Sequence, residues 1–231
     1  MEGRRLAIAL EPRYTLAHYR HAMALRELGR EADALAALED AVAAAQARTG
    51  PGSEVAAATM HAALGEALAA RGDLVRARAE YESARAGLPG RPAVLFGLAD
   101  VLEQLGDDRE AAALHETLLA RHPGHVRAAI GLAWLRASSD DPAVRDVAQA
   151  RILAARGERA AAGAGPAIRV RAREARLAAE AELAFAEGTK ASRARAIEHA
   201  RRVLDLARRT GRPRSVAAAR TRLVRFGARV D

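Results

Sequence analysis

LGEALAARGDLVRARAEY, running from Leu64 to Tyr81, decides how this chain folds. With His61 included, Leu64, Gly65 and Leu68 fall at i, i+3, i+4 and i+7, one stripe of a helix. Gly72-Asp73 then breaks the helix: Gly suits the left-handed position just past a helix end, and Asp can cap the next one. In that second helix Ala77, Tyr81 and Ala84 form another stripe, and Pro89 ends the unit because proline cannot continue a helix. Small residues at 65 and 77 let two helix backbones approach closely, with Tyr81 filling the space beside them. The stretch therefore predicts a helix, a glycine corner and a second helix packed back on the first.

The unit repeats. A step of 34 residues carries His61 to Leu95, Leu64 to Leu98, Gly65 to Ala99 and Leu68 to Leu102. The same step carries Gly72 to Gly106, Ala77 to Ala111, Tyr81 to His115, Ala84 to Leu118 and Pro89 to Pro123. Upstream by 43 residues, His18, His21, Ala22, Leu25, Gly29, Ala34, Leu38 and Ala41 fill the same places. There Gln46 stands where proline would be, so the second helix is expected to run to about Thr49 before the turn Gly50-Pro51-Gly52-Ser53. A further unit begins with Ala129, Leu132 and Ala133, then degenerates as Arg136, Asp140 and Arg145 replace its apolar, Gly and Ala places. Asp141-Pro142 reads as a cap followed by proline at the first helical position.

This pattern resembles the tetratricopeptide repeat, a 34-residue helix-turn-helix unit with Leu-Gly, Tyr, Ala and Pro at fixed offsets. The resemblance implies an all-α fold, a right-handed α-α superhelix or solenoid, here with a helical C-terminal cap. The expected organisation is an array over residues 1–141. It comprises a partial repeat at 6–12, repeats at about 15–48, 58–91 and 92–125, and a degenerate one from 126. Residues 142–231 form a divergent, basic helical region. Helices are expected from Ala167 to Glu187, Ser192 to Arg209 and Ser215 to Phe226. The last carries an apolar seam of Val216, Ala219, Leu223, Phe226 and Val230, suited to capping a solenoid whose outer face must be polar.

Composition agrees with this reading. The chain has 231 residues, 62 of them alanine, and only 3% are aromatic; Ala is the best helix former and is depleted in strands. No cysteine is present, which excludes disulfides, cysteine-ligated zinc and a thiol nucleophile. No segment approaches the ~20 apolar residues of a membrane span. The basic start MEGRRLAIALEPRY has an apolar run only from Leu6 to Leu10, short of a secretion signal, and a cytoplasmic location is the expectation. Leu6 to Pro12 reads as the closing turns of another repeat, which suggests a chain that begins inside a longer array.

The net charge of +8 is uneven. Met1–Asp141 holds 16 Arg against 20 acids, a net of −4; Pro142–Asp231 holds 20 Arg and Lys190 against 9 acids, a net of +12. The basic part has two readings: arginines solvating exposed helix faces, or contact with an anionic partner such as nucleic acid. Against nucleic acid, the arginines are not interleaved with aromatics that would stack on bases, and no helix-turn-helix signature is present.

The sequence contains no glycine-rich phosphate loop, no serine elbow and no converging acid–base pair, so no enzyme activity and no cofactor are expected. Gly163-Ala-Gly-Pro166 is too short and proline-blocked for a dinucleotide fingerprint. The histidines at 18, 21, 61 and 115 sit at repeat packing places, and His122 and His125 flank a Pro-Gly turn without a third ligand, so no metal is expected.

The resemblance implies protein or peptide partners, bound on a concave face lined by the first helix of each repeat. Relative to the packing stripe, residues turned about 120° away would face the groove. They are Leu16, Tyr19, Met23 and Arg26; Thr59, Ala62, Glu66 and Ala69; Ala93, Phe96, Asp100 and Glu103; and Arg127, Ile130 and Trp134. Members of the family that bind a terminal carboxylate use a basic, Asn-bearing clamp; the matching places here hold Tyr19, Met23, Thr59, Ala63 and Gly97, so that clamp is absent. The stripe predicts apolar anchors near Tyr19, Phe96 and Trp134, with Glu66, Asp100 and Glu103 favouring a basic residue between them. The oligomeric state is open. A role as a non-catalytic segment of a larger enzyme also stays open at this point.

Overall fold

A computed structural model describes residues 15–230; the partial repeat at 6–12 lies outside them. Among the described residues there are eleven α-helices and no strand: α1 Thr15–Glu27, α2 Glu31–Gln46, α3 Ser53–Ala70, α4 Leu74–Gly87, α5 Pro92–Leu105, α6 Asp108–Arg121, α7 Val126–Ser138, α8 Val147–Ala160, α9 Pro166–Ala186, α10 Lys190–Arg209 and α11 Pro213–Arg225. A single 3-10 turn, Ala161–Gly163, links α8 to α9. The helix-turn-helix period is therefore observed. The second helix of the first repeat ends at Gln46, short of the expected Thr49.

The chain forms two compact units that meet in sequence at Leu105 and Gly106. The division falls between the two helices of the 92–125 repeat, whereas the change in charge lies at Asp141.

In the first unit α1 to α5 stack in chain order, each helix packing on the next, and α5 also reaches back to α3. The corner read from Gly72-Asp73 is observed. Gly72 sits at φ 81°, a conformation that strains any side chain, and the Asp73 carboxylate accepts from the Arg76 N–H at the start of α4. Ala77 and Ala84 are fully buried, and with Leu64 and Leu68 they form the seam between α3 and α4. His61 does more than fill its packing place. Its ring joins the Gln46 amide of α2 at 3.2 Å and the Glu80 carboxylate of α4 at 2.7 Å, tying three helices together.

Tyr81 is the plug that the sequence suggests. Its ring lies against Gly65, where an added Cβ would come 3.1 Å from Cδ2, and it also reaches α5. There Gly97 provides the seat: a Cβ at 97 would stand 2.4 Å from the ring carbon Cζ and 2.5 Å from the hydroxyl oxygen. Only a residue without a side chain leaves room for this ring.

The second unit repeats the device. His115 of α6 is 1% exposed, and a Cβ at Gly131 of α7 would fall 2.5 Å from its Nε2. Here α7 packs on α6, α8 and α9; α9 also packs on α8 and α10, and α11 lies on α10. The expected C-terminal helices are found within two residues at each end. Ala219, Leu223 and Phe226 of the predicted seam are buried, Phe226 stacking on Phe185 at 4.4 Å between ring centroids.

One predicted helix start is displaced. Asp141 does not cap a helix: its carboxylate closes a turn onto the Ala143 N–H at 2.9 Å and pairs with Arg109. These partners, the backbone N–H foremost, hold its carboxyl below the ordinary range. The helix begins instead at Val147 under the Asp146 cap, because the intervening turn carries Val144 into the core and sends Arg145 to Glu182.

Candidate functional site

The groove stripe divides between the two units, and its parts meet different fates. In the first unit most of it is exposed or half-buried. Leu16 is 41% exposed, Tyr19 and Met23 are half-buried, and Arg26 is exposed at the end of α1. On α3, Thr59 is half-buried with its hydroxyl donating to the Val55 carbonyl, and Glu66 is exposed. On α5, Phe96 and Asp100 are half-buried, and the Asp100 carboxylate accepts from the Gln104 amide at 3.1 Å. Between α1 and α3, Arg26 and Glu66 approach to 3.8 Å. Both side chains are exposed, so this pair contributes little to stability.

Glu103 departs from the expectation. It is 7% exposed, turned in at the C-terminal end of α5, and is not available as a groove acid. Glu66 and Asp100 remain as the acidic positions of the stripe in the first unit.

In the second unit only Arg127 is exposed. Ile130 and Trp134, 2% and 3% exposed, belong to the core. Ile130 packs on Gly157 of α8, so close that a Cβ there would meet it at 2.8 Å. Two guanidinium groups lie over Trp134, Arg171 of α9 at 4.6 Å and Arg222 of α11 at 5.6 Å from its ring centroid. The chain's own C-terminal helices cover the face of α7 that was expected to face a ligand. Accordingly α7 is buried nearly all round, which marks it as a core helix.

The arginines over Trp134 belong to a buried polar cluster absent from the sequence expectations. Glu182 of α9, 6% exposed, accepts from Arg145, from the Nε of Arg222 at 2.8 Å and from Arg225. Arg222 also donates to the Ala137 carbonyl at 2.9 Å and to the Ser138 hydroxyl at 2.8 Å, pinning α11 to the end of α7. Burial lowers its pKa, opposed by the Glu182 carboxylate. Beside it, Arg171 and Glu174 form a second buried pair that takes in Ser215. Part of the C-terminal positive charge is met by further pairs nearer the surface: Arg195 pairs with Glu187, Arg202 with Glu198 and Arg214 with Asp108. The two acids at 174 and 182, spaced to share one helix face, were the legible sign of this cluster.

One of the two turn histidines serves structure. His125 caps α7 by accepting the Ala128 N–H on Nδ1 at 3.1 Å. Among the described residues no group of three or more His, Cys, Asp or Glu side chains is placed to hold a metal ion. Burial, with the charges of Arg127 and His122 adding, lowers the His125 pKa, so the folded chain takes up this proton less readily than the unfolded one. Stability from the cap is present above about pH 6.5, the ordinary histidine value, and is lost as pH falls through the lowered folded-state value. Thermal melts should therefore show a midpoint that drops between about pH 7.5 and pH 5, with a smaller drop in His125→Asn, which caps without titrating. An equal drop in both proteins would remove His125 as the source.

A tetratricopeptide repeat family model matches residues 68–135. No curated protein matches the sequence. Among solved structures the chain is similar to YrrB, described as a TPR protein with an unusual peptide-binding site, at 15% identity; 94% of this chain and 97% of that one align, with a TM-score of 0.62. A tetratricopeptide repeat protein from Parabacteroides merdae ATCC 43184 aligns at 16% identity over 92% of this chain and 76% of that one, TM-score 0.60. MamA from Desulfovibrio magneticus RS-1 aligns at 17% identity over 84% of this chain and 95% of that one, TM-score 0.58. At these identities the likeness is one of fold, an all-α helical-repeat solenoid. No helix among the described residues is long and apolar enough to cross a membrane.

Proposed function

We propose that this chain, which carries tetratricopeptide repeats, is a non-catalytic interaction scaffold that binds an extended or helical peptide segment on the stripe formed by α1, α3 and α5. The observation that carries the reading is the pairing of Arg26 with Glu66 across α1 and α3, flanked by half-buried Tyr19, Met23 and Phe96. A weak, wet ion pair between partly uncovered apolar side chains is a surface prepared for exchange. A ligand cation replaces Arg26 at Glu66, while ligand apolar groups cover Tyr19, Met23 and Phe96, where most of the affinity arises. Asp100 offers a second acceptor beside Phe96. Ile130 and Trp134 take no part, being enclosed by α8, α9 and α11.

A random peptide library displayed on phage and selected against the full chain tests this. Enriched peptides should share a Lys or Arg flanked by apolar residues. Phe96→Ala and Glu66→Arg should each weaken a synthetic peptide of that consensus by about tenfold, roughly 1.4 kcal/mol. No enrichment, or enriched peptides indifferent to both substitutions, would count against the groove.

A further inference from the structure

A second surface stands apart from the stripe. In the second unit, α8, α9 and α10 bound a cleft of about 470 Å³, within the range of ligand-binding sites. Its floor is apolar, with half-buried Val170 of α9 and Leu206 of α10, and Pro166 is exposed at its edge. Its rim carries Arg169 and Arg173, both exposed. The contrast with the next arginine on the same helix is informative. Arg176 is held by Glu158 at 2.7 Å and by Glu180 at 3.2 Å, so Glu158, the one acid lining the cleft, is already neutralised. Among the described residues, no such carboxylate pairs with Arg169 or Arg173. Arg169 is the fourth residue of α9, which has no acidic residue in its first turn. A cation there opposes the helix dipole, and the two exposed guanidinium groups make the rim of the cleft positive.

The geometry selects the anion. Residues four apart on a helix are displaced by about 6 Å along its axis. Alternate residues of an extended strand point to the same side and are separated by roughly 6.6–6.8 Å. Two carboxylates at i and i+2 of an extended peptide therefore match Arg169 and Arg173, each taking one guanidinium fork. The next residue on that side, i+4, continues over the apolar floor. A nucleic-acid strand fits less well, because no aromatic side chain lines the cleft for base stacking and the floor rewards an apolar group rather than a further phosphate.

We infer that the cleft between α8, α9 and α10 is a docking site for an extended acidic segment of a partner protein, its alternate carboxylates on Arg169 and Arg173 and an apolar side chain of the same face on Val170 and Leu206.

The test uses the full chain and a fluorescein-labelled octapeptide with glutamates at its third and fifth positions and leucine at its seventh, titrated by fluorescence anisotropy. The double variant R169Q/R173Q should bind it about tenfold or more weakly, whereas the charge-matched R220Q/R229Q should stay within about twofold of the parent. Both pairs are exposed, so the helical circular dichroism signal should be unchanged in each. Serine in place of the peptide leucine should weaken binding to the parent chain. Three results overturn the proposal: no binding by the parent chain, equal loss in the two double variants, or loss only at high salt with no dependence on the leucine. A single-stranded oligonucleotide that binds in place of the octapeptide, and is lost in R169Q/R173Q, would reassign the cleft to phosphate. Self-association abolished by that variant in sedimentation would reassign it to a second copy.

Discussion

Replacing Glu182 by alanine is expected to destabilise the second unit by about 3–5 kcal/mol, the largest effect expected there. The carboxylate is the shared acceptor of Arg145, Arg222 and Arg225, and Arg222 itself is 4% exposed. Without Glu182, a guanidinium remains enclosed against Trp134 with its opposing charge gone. Arg145 and Arg225 are more exposed and can turn to water; Arg222 cannot. The cost should therefore belong mainly to Arg222, and a second substitution separates the contributions. Glu182→Leu combined with Arg222→Met fills the same space without charge and should recover most of the loss, since a buried ion pair is often no more stable than a packed apolar one. Urea titration monitored by circular dichroism gives both values. If Glu182→Ala costs less than about 1 kcal/mol, the cluster is solvated in solution and its buried description is wrong.

The second large effect concerns Tyr81. Truncation to alanine removes a ring 6% exposed from between Gly65 and Gly97 and is expected to cost about 3–5 kcal/mol. The reciprocal substitution is equally informative. Gly97→Ala forces a methyl into the end of the ring and should cost about 1–3 kcal/mol by overpacking. Shortening the plug with Tyr81→Leu removes the atoms that the methyl meets. In the Tyr81→Leu background, Gly97→Ala should then cost much less, giving strong non-additivity between the two sites. Thermal melts of the four proteins in the cycle test this, and additive effects would mean that Tyr81 and Gly97 do not touch.

Sequence and structure agree best where a repeating template constrains both. Leu64, Gly65, Gly72, Asp73, Ala77 and Tyr81 occupy the places assigned to them, because each answers a local need: a stripe, a corner, a cap or a plug. Agreement weakens where the reading depended on what would not be covered. Trp134 and Ile130 lie on the stripe expected to be open, but arginines at 171 and 222, far off in sequence, close over Trp134. No local periodicity announces that. The displaced start of α8 has a similar origin: Asp141-Pro142 is a sound local signal, outweighed by the burial of Val144 and the pull of Glu182 on Arg145. Glu103 shows the finer limit, since a position on a helix face predicts direction to within a fraction of a turn and not the depth of the surface there.

The glycine seats have a consequence for how such a chain changes. Tyr81 rests in Gly97, and His115 against Gly131, the same sixteen residues on in each case. The two halves of each fit therefore belong to successive repeats. A gene duplication or a designed graft cut at repeat boundaries would separate them and join a bulky side chain to a helix with no room for it. The unit that can be moved intact is offset by one helix, from the second helix of one repeat through the first helix of the next. Inheritance of these modules should follow that frame: across natural variants, residue size at 81 and 97, and at 115 and 131, should vary together.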